Sequence, residues 1–206
     1  MRMRTGNRGG GLIAWLVGQF DARTLFAALL VCSVAGCGSE QPVSTEDKAI
    51  FLRATDLAKF GFRHENAEAY ETFSKTRHFD GTYELSYQFG TPEGEQEHPL
   101  YIYISVSVER RASDAMISQK AEKLGLVVGL KAEGAEEREV PGTFPYGDDA
   151  RLSLIVKGEN PIGNIFTLRD KGKTYLLVLS GVYFDDPELF KKLIGPQVQR
   201  FAAYSP

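Results

Sequence analysis

Residues 174–180 constrain the fold more than any other stretch. Tyr175, Leu176, Leu177, Val178 and Leu179 are apolar in unbroken succession, and successive side chains of a strand point to opposite faces. A strand of this kind is buried on both faces, so it is central in its sheet with layers packed above and below.

The flanking segments alternate more simply. Tyr83, Leu85, Tyr87 and Phe89 are interleaved with Glu84, Ser86 and Gln88, and Ile102, Ile104, Val106 and Val108 with Tyr101, Tyr103, Ser105 and Ser107. Both are period-two strands with one apolar face. Residues 69–77 read as a further strand, turned into the next by Asp80-Gly81. Leu152, Leu154 and Val156 mark another, residues 162–169 one more, and Asp170-Lys171-Gly172-Lys173 turns into the central strand. The polar stretches 90–98 and 131–137 read as a loop and a connection.

Helices bracket these strands. Ser44-Thr45-Glu46-Asp47 can cap a helix carrying Ile50 and Leu57, and residues 55–60 form a helical turn with Gly61 at its end. Ser113 is placed to cap a helix through Ile117, Ala121 and Leu124, with Gly125 near its end. Residues 126–130 either extend that helix or form a short strand. Asp185 or Asp186 caps the last helix, with Pro187 in its first turn and Leu189, Phe190, Leu193, Ile194 and Phe201 as its buried stripe. Pro196 is expected to kink or restart it. Strands in runs with helices set apart give an α+β domain over residues 48–206, a central antiparallel sheet covered by helices in layers.

One sub-pattern goes further. Gly163-Asn164-Ile165-Phe166-Thr167-Leu168-Arg169, the run from Lys173 through Ser180-Gly181, and the Asp-Pro-capped helix together resemble the C-terminal half of PsbP/Mog1-like domains. The resemblance implies a sandwich with the sheet between helices. It also implies a non-enzymatic binding or assembly role, and no functional residue motif comes with it.

The N-terminal region reads as an address. A basic flank ending at Arg23 precedes the apolar run Leu25-Phe26-Ala27-Ala28-Leu29-Leu30-Val31, which is too short to span a bilayer. Small residues follow, and the whole has the parts of a secretory signal peptide over residues 1–36. A second apolar run, Gly11-Leu12-Ile13-Ala14-Trp15-Leu16-Val17, implies either a long charged leader or a start downstream of Met1. Val34-Ala35-Gly36-Cys37 resembles the lipobox of bacterial lipoproteins. That resemblance implies cleavage before Cys37 and its acylation, with residues 37–47 as a flexible tether. Gly38, rather than aspartate, after the cysteine favours the outer membrane, facing the periplasm, in a Gram-negative host.

Loss of residues 1–36 removes four of the 24 basic and one of the 27 acidic side chains, leaving roughly six more acids than bases. A net acidic domain without a basic cluster argues against nucleic acid. Cys32 leaves with the signal and Cys37 is acylated, so no disulfide is expected. His64, His78 and His98 are widely spaced and no zinc, nucleophile-elbow, phosphate-loop or Rossmann motif occurs. Ser180-Gly181 sits at a strand end with no base nominated. Asp148-Asp149 and Asp185-Asp186 are adjacent pairs that rarely both reach one cation. No metal or cofactor is expected.

Tyr101 and Tyr103 are the candidate binding residues, either as an exposed recognition surface or as core beneath a covering helix. The expected function is a lipid-anchored envelope module, not an enzyme, that binds a protein or small ligand. The alternative is an envelope hydrolase whose catalytic groups come from separate loops.

Overall fold

The computed structural model describes residues 38–62, 66–91 and 99–206. The expected signal segment, Cys37, His64, His98 and the loop glutamates Glu93, Glu95 and Glu97 lie outside the described residues. The elements run β1 (Gly38–Glu40), α1 (Thr45–Ala49), two 3-10 turns (Ala54–Phe60 and Ala67–Tyr70), β2 (Glu71–His78), β3 (Tyr83–Gly90) and β4 (Tyr101–Val108). There follow α2 (Ala112–Ala132), β5 (Ala135–Glu139), β6 (Asp149–Lys157), β7 (Asn160–Asp170), β8 (Lys173–Ser180) and α3 (Pro187–Ala203). The strands form one antiparallel sheet in the order β1-β2-β3-β4-β8-β7-β6-β5. The class is α+β.

Strand β8 is central and covered twice. Tyr175, Leu177 and Leu179 face the larger core with Leu85, Tyr87, Phe89, Ile102, Ile104, Val106 and Phe166. Helix α3 closes that face with Phe190, Leu193, Ile194, Val198 and Phe201, and Phe190 lies 5.3 Å from Phe166. Leu176 and Val178 face the other way, into a smaller core with Ile155, Ile165, Leu126 and Leu130 beneath α2. Asn164, fully buried in β7, spends its amide on the backbone of Ser153 and Phe184 and so pins the segment entering α3.

Several local expectations change. Ser44 does cap α1, in a reciprocal box with Asp47, but the helix ends at Ala49 and Leu57 belongs to the following 3-10 turn. That turn stops at Gly61 in the left-handed region (φ 89°). Helix α2 starts at Ala112 with Arg111 as N-cap, and the Ser113 hydroxyl donates to Asp114 instead of capping. Residues 126–130 are helix. Asp186 caps α3, accepting from the Glu188 amide, and the helix runs through Pro196 as one element because both halves are packed on the same core.

Residues 38–41, expected within a flexible tether, are fastened. Gly38, Ser39 and Glu40 pair with His78, Arg77 and Thr76, and the Gln41 amide donates to the Lys75 carbonyl at 2.8 Å. The pairing is close: a Cβ on Gly38 would come within 2.6 Å of Thr76 Cγ2. Asp47 secures the next turn. It is 1 % exposed, accepts from Lys75 Nζ (2.9 Å) and from the Tyr204 hydroxyl (2.5 Å), and so ties α1, β2 and the chain end together. The stretch 131–137, expected as a connection, instead finishes α2 and opens edge strand β5. Its sequence, Ala-Glu-Glu-Arg-Glu, is an edge dressed with charge.

Candidate functional site

Helix α2 has two apolar faces, and the sheet can bury only one. Ala115, Leu126, Gly129 and Leu130 turn inward. The small residues at 115 and 129 bring the helix backbone close to the sheet, where Leu126 and Leu130 meet Ile155, Ile165, Leu176 and Val178. The residues 117, 121 and 124, through which the helix was expected to run, therefore point outward. Met116 is 40 % exposed, Ile117 62 %, Leu124 66 % and Val128 60 %. Ala121 is exposed on the same face, and so are the cations Lys120 and Lys131, with exposed Arg111 at the helix start. The helix's own carboxylates, Asp114 and Glu122, are both partly buried. The outer face of α2 is an apolar stripe with a basic rim.

Tyr101 and Tyr103 lie on the α2 side of β4, and both are half-buried. Tyr103 packs against the smaller core, so this part of the sheet is partly covered rather than open. Burial pushes both phenols up, Tyr101 beside Tyr103 and Tyr103, to about 12, beside Glu122. Glu122 reaches down from α2 and accepts from the Ser105 hydroxyl at 2.6 Å. Burial raises its carboxyl to about 7, the Ser105 bond works against that rise, and the negative charges of Glu84 and Glu109 add to it. Glu109 is itself engaged by Thr82 and Ser118, and Glu84 by His78 Nε2 at 3.1 Å. Neither sequence spacing nor a motif singles out Glu122, since its burial depends on which face α2 turns inward.

The other sequence candidates have structural employment. Asp148 accepts from the Arg169 side chain and the Lys171 amide, Asp149 pairs with Arg151, and Asp186 is the α3 cap. Gly181 has φ 89°, and a Cβ there would lie 2.2 Å from the Pro99 carbonyl, so Ser180-Gly181 is a backbone crossing. Among the described residues no group of three His, Cys, Asp or Glu side chains is placed to hold a metal ion. No helix among them is long and apolar enough to cross a membrane.

No protein-family model matches the chain, and no curated protein shows significant similarity to it.

Proposed function

We propose that this is a lipid-anchored bacterial envelope protein, acylated at Cys37, whose domain is a non-catalytic accessory module that docks a partner protein on the outer face of α2. The carrying observation is the stripe Met116, Ile117, Leu124 and Val128, exposed on a helix whose opposite face is already packed. Such a face fits an interface centre of apolar anchors within a charged rim. The cations around it, Lys120, Lys131 and Arg111, suit a partner that is apolar at its centre and acidic at its edge. The layered sheet between α2 and α3 is compatible with a PsbP/Mog1-like sandwich, a group in keeping with a binding role. The lipobox, with Gly38 after the cysteine, favours the outer membrane.

The test is a photocrosslinking residue placed at Leu124 of the full chain in living cells, with the same residue at Glu188 on α3 as control. One discrete protein adduct from position 124, lost when Ile117→Glu is added, is the expected result. No adduct, or equal adducts from both positions, sinks the reading.

The second reading, an envelope hydrolase, is favoured by one group. A carboxyl near pKa 7, as in Glu122, is suited to donate a proton. Turnover of an envelope substrate that Glu122→Gln abolishes would replace the binding role.

A further inference from the structure

We infer that the domain is seated on the bilayer by the end of the sheet that carries Gly38 and Phe79, with Phe79 at the boundary between headgroups and acyl chains. The inference rests on acylation of Cys37 and deepens it: it supplies an orientation that an anchor alone does not.

The register carries the argument. Gly38 pairs with His78, and the chain from there to Gln41 is bonded to β2. Cys37 is one peptide before Gly38 and Phe79 one peptide after His78. One interstrand spacing and one Cα–Cα step place Gly38 and Phe79 within roughly 9 Å of each other. Acyl chains on residue 37 therefore enter the bilayer beside the β2–β3 turn, and no slack remains to hold the domain away.

That turn is dressed for a lipid surface. Phe79 is 86 % exposed. The turn itself has no use for an aromatic ring, because Asp80 accepts from the Thr82 amide at 2.9 Å and Gly81 supplies the positive φ (86°). An exposed phenylalanine is what an interfacial surface buries. Exposed cations share this end. Arg77 precedes the turn, and Arg110 lies against it, since a Cβ on Gly81 would come within 2.7 Å of its Nη2. Lys171 tops the neighbouring β7–β8 turn, which the Glu109 amide joins through the Gly172 carbonyl at 2.7 Å. Juxtamembrane cations of this kind meet lipid phosphates. Of the acids at this end, Glu109, Asp148 and Asp80 are already hydrogen-bonded within the domain, and Asp170 lies 3.9 Å from Lys173 Nζ. The strands then rise from the bilayer, and the outer face of α2 looks sideways along the membrane.

The experiment uses the mature lipidated protein in vesicles of phosphatidylethanolamine and phosphatidylglycerol containing nitroxide-labelled lipid. The chain has one tryptophan, Trp15, inside the cleaved segment, so Phe79→Trp leaves a single indole. The expected result is blue-shifted emission quenched several-fold by the labelled lipid, with Leu124→Trp in its place unquenched. Mass spectrometry of the same sample reads the lipid on Cys37. An unquenched indole at position 79, on a protein that does carry the lipid, overturns the seating and leaves the anchor intact. Quenching at position 124 but not at position 79 assigns the contact to α2 and overturns it equally. A protein with no lipid, washed off the vesicles, refutes the anchor and the seating with it.

Discussion

Asp47 shows how one side chain can hold several elements at once. Burial works against its charge, but hydrogen bonds from Tyr204, the Ser44 backbone, Lys75 and the Ser44 side chain outweigh that and hold the carboxyl below its ordinary range. Asp47→Ala leaves Lys75, with a side chain 12 % exposed, without its counter-charge. It should cost about 2–4 kcal/mol. A group whose pKa is depressed on folding contributes fully above its unfolded value and loses that contribution as pH falls through the folded one. Denaturant titrations over a descending pH series should therefore show the gap between wild type and variant widest at pH 7 and narrowing as the pH falls below the ordinary carboxylate range. Glu122 behaves oppositely. Its carboxyl is raised on folding, so between about 4.5 and 7 the unfolded chain gives up a proton that the folded one keeps. Stability falls as pH rises across that window and is level above it. Glu122→Gln should remove the slope, gaining about 3 kcal/mol on wild type at pH 8 relative to pH 4. Parallel slopes for the two proteins would show that Glu122 is not the source.

At the scale of elements, the legible parts of the sequence were those where one physical requirement dominated. Unbroken apolar residues in β8 require cover on both faces, and alternation in β3 and β4 requires one buried face; all three strands are where the pattern puts them. The Gly61 stop, the Ser44 cap and the Asp186 cap were legible because each residue type answers a backbone need. Strands β1 and β5 were not, because an edge strand buries little and its residues are chosen for solvent. The orientation of helix α2 was not legible for a different reason: it carries apolar residues at both 117/124/128 and 126/130, and only tertiary packing decides between them. Its inward choice favours Ala115 and Gly129, which admit close approach to the sheet. From this comes a prediction on the helix itself. Ile117→Glu with Leu124→Glu should change folding stability by no more than about 0.5 kcal/mol per site, since both side chains are in solvent. With the photocrosslinking residue moved to Val128 on the same face, the pair should abolish the partner adduct. A large drop in melting temperature would mean that the stripe is core in the working protein. The candidate site was thus not legible in the sequence, which nominated Tyr101 and Tyr103 and carried Ile117 and Leu124 only as helix positions.

For the molecule as a whole, the difference between a tether and a paired strand decides how the domain sits. A flexible linker of ten Gly/Ser residues between Cys37 and Gly38 adds a reach of about 16–19 Å without touching the fold. In the Phe79→Trp background it should leave lipid attachment and melting temperature as they are while releasing the indole from the bilayer, read by the same lipid quenching. Undiminished quenching would mean that the domain binds the surface without help from its anchor. The pairing of Gly38 with His78 also bears on time. A peptidase that cuts before Cys37 needs extended, accessible chain around the bond, whereas strand β1 begins one residue later and packs too tightly at Gly38 to admit even a Cβ. On the proposed lipoprotein reading, maturation and folding would be in series: the cut would come first and β1 would dock last, making release from the export machinery a condition for completing the sheet. Precursor refolded before it meets the peptidase should be cut far more slowly than precursor presented unfolded, and equal rates would show that β1 opens freely.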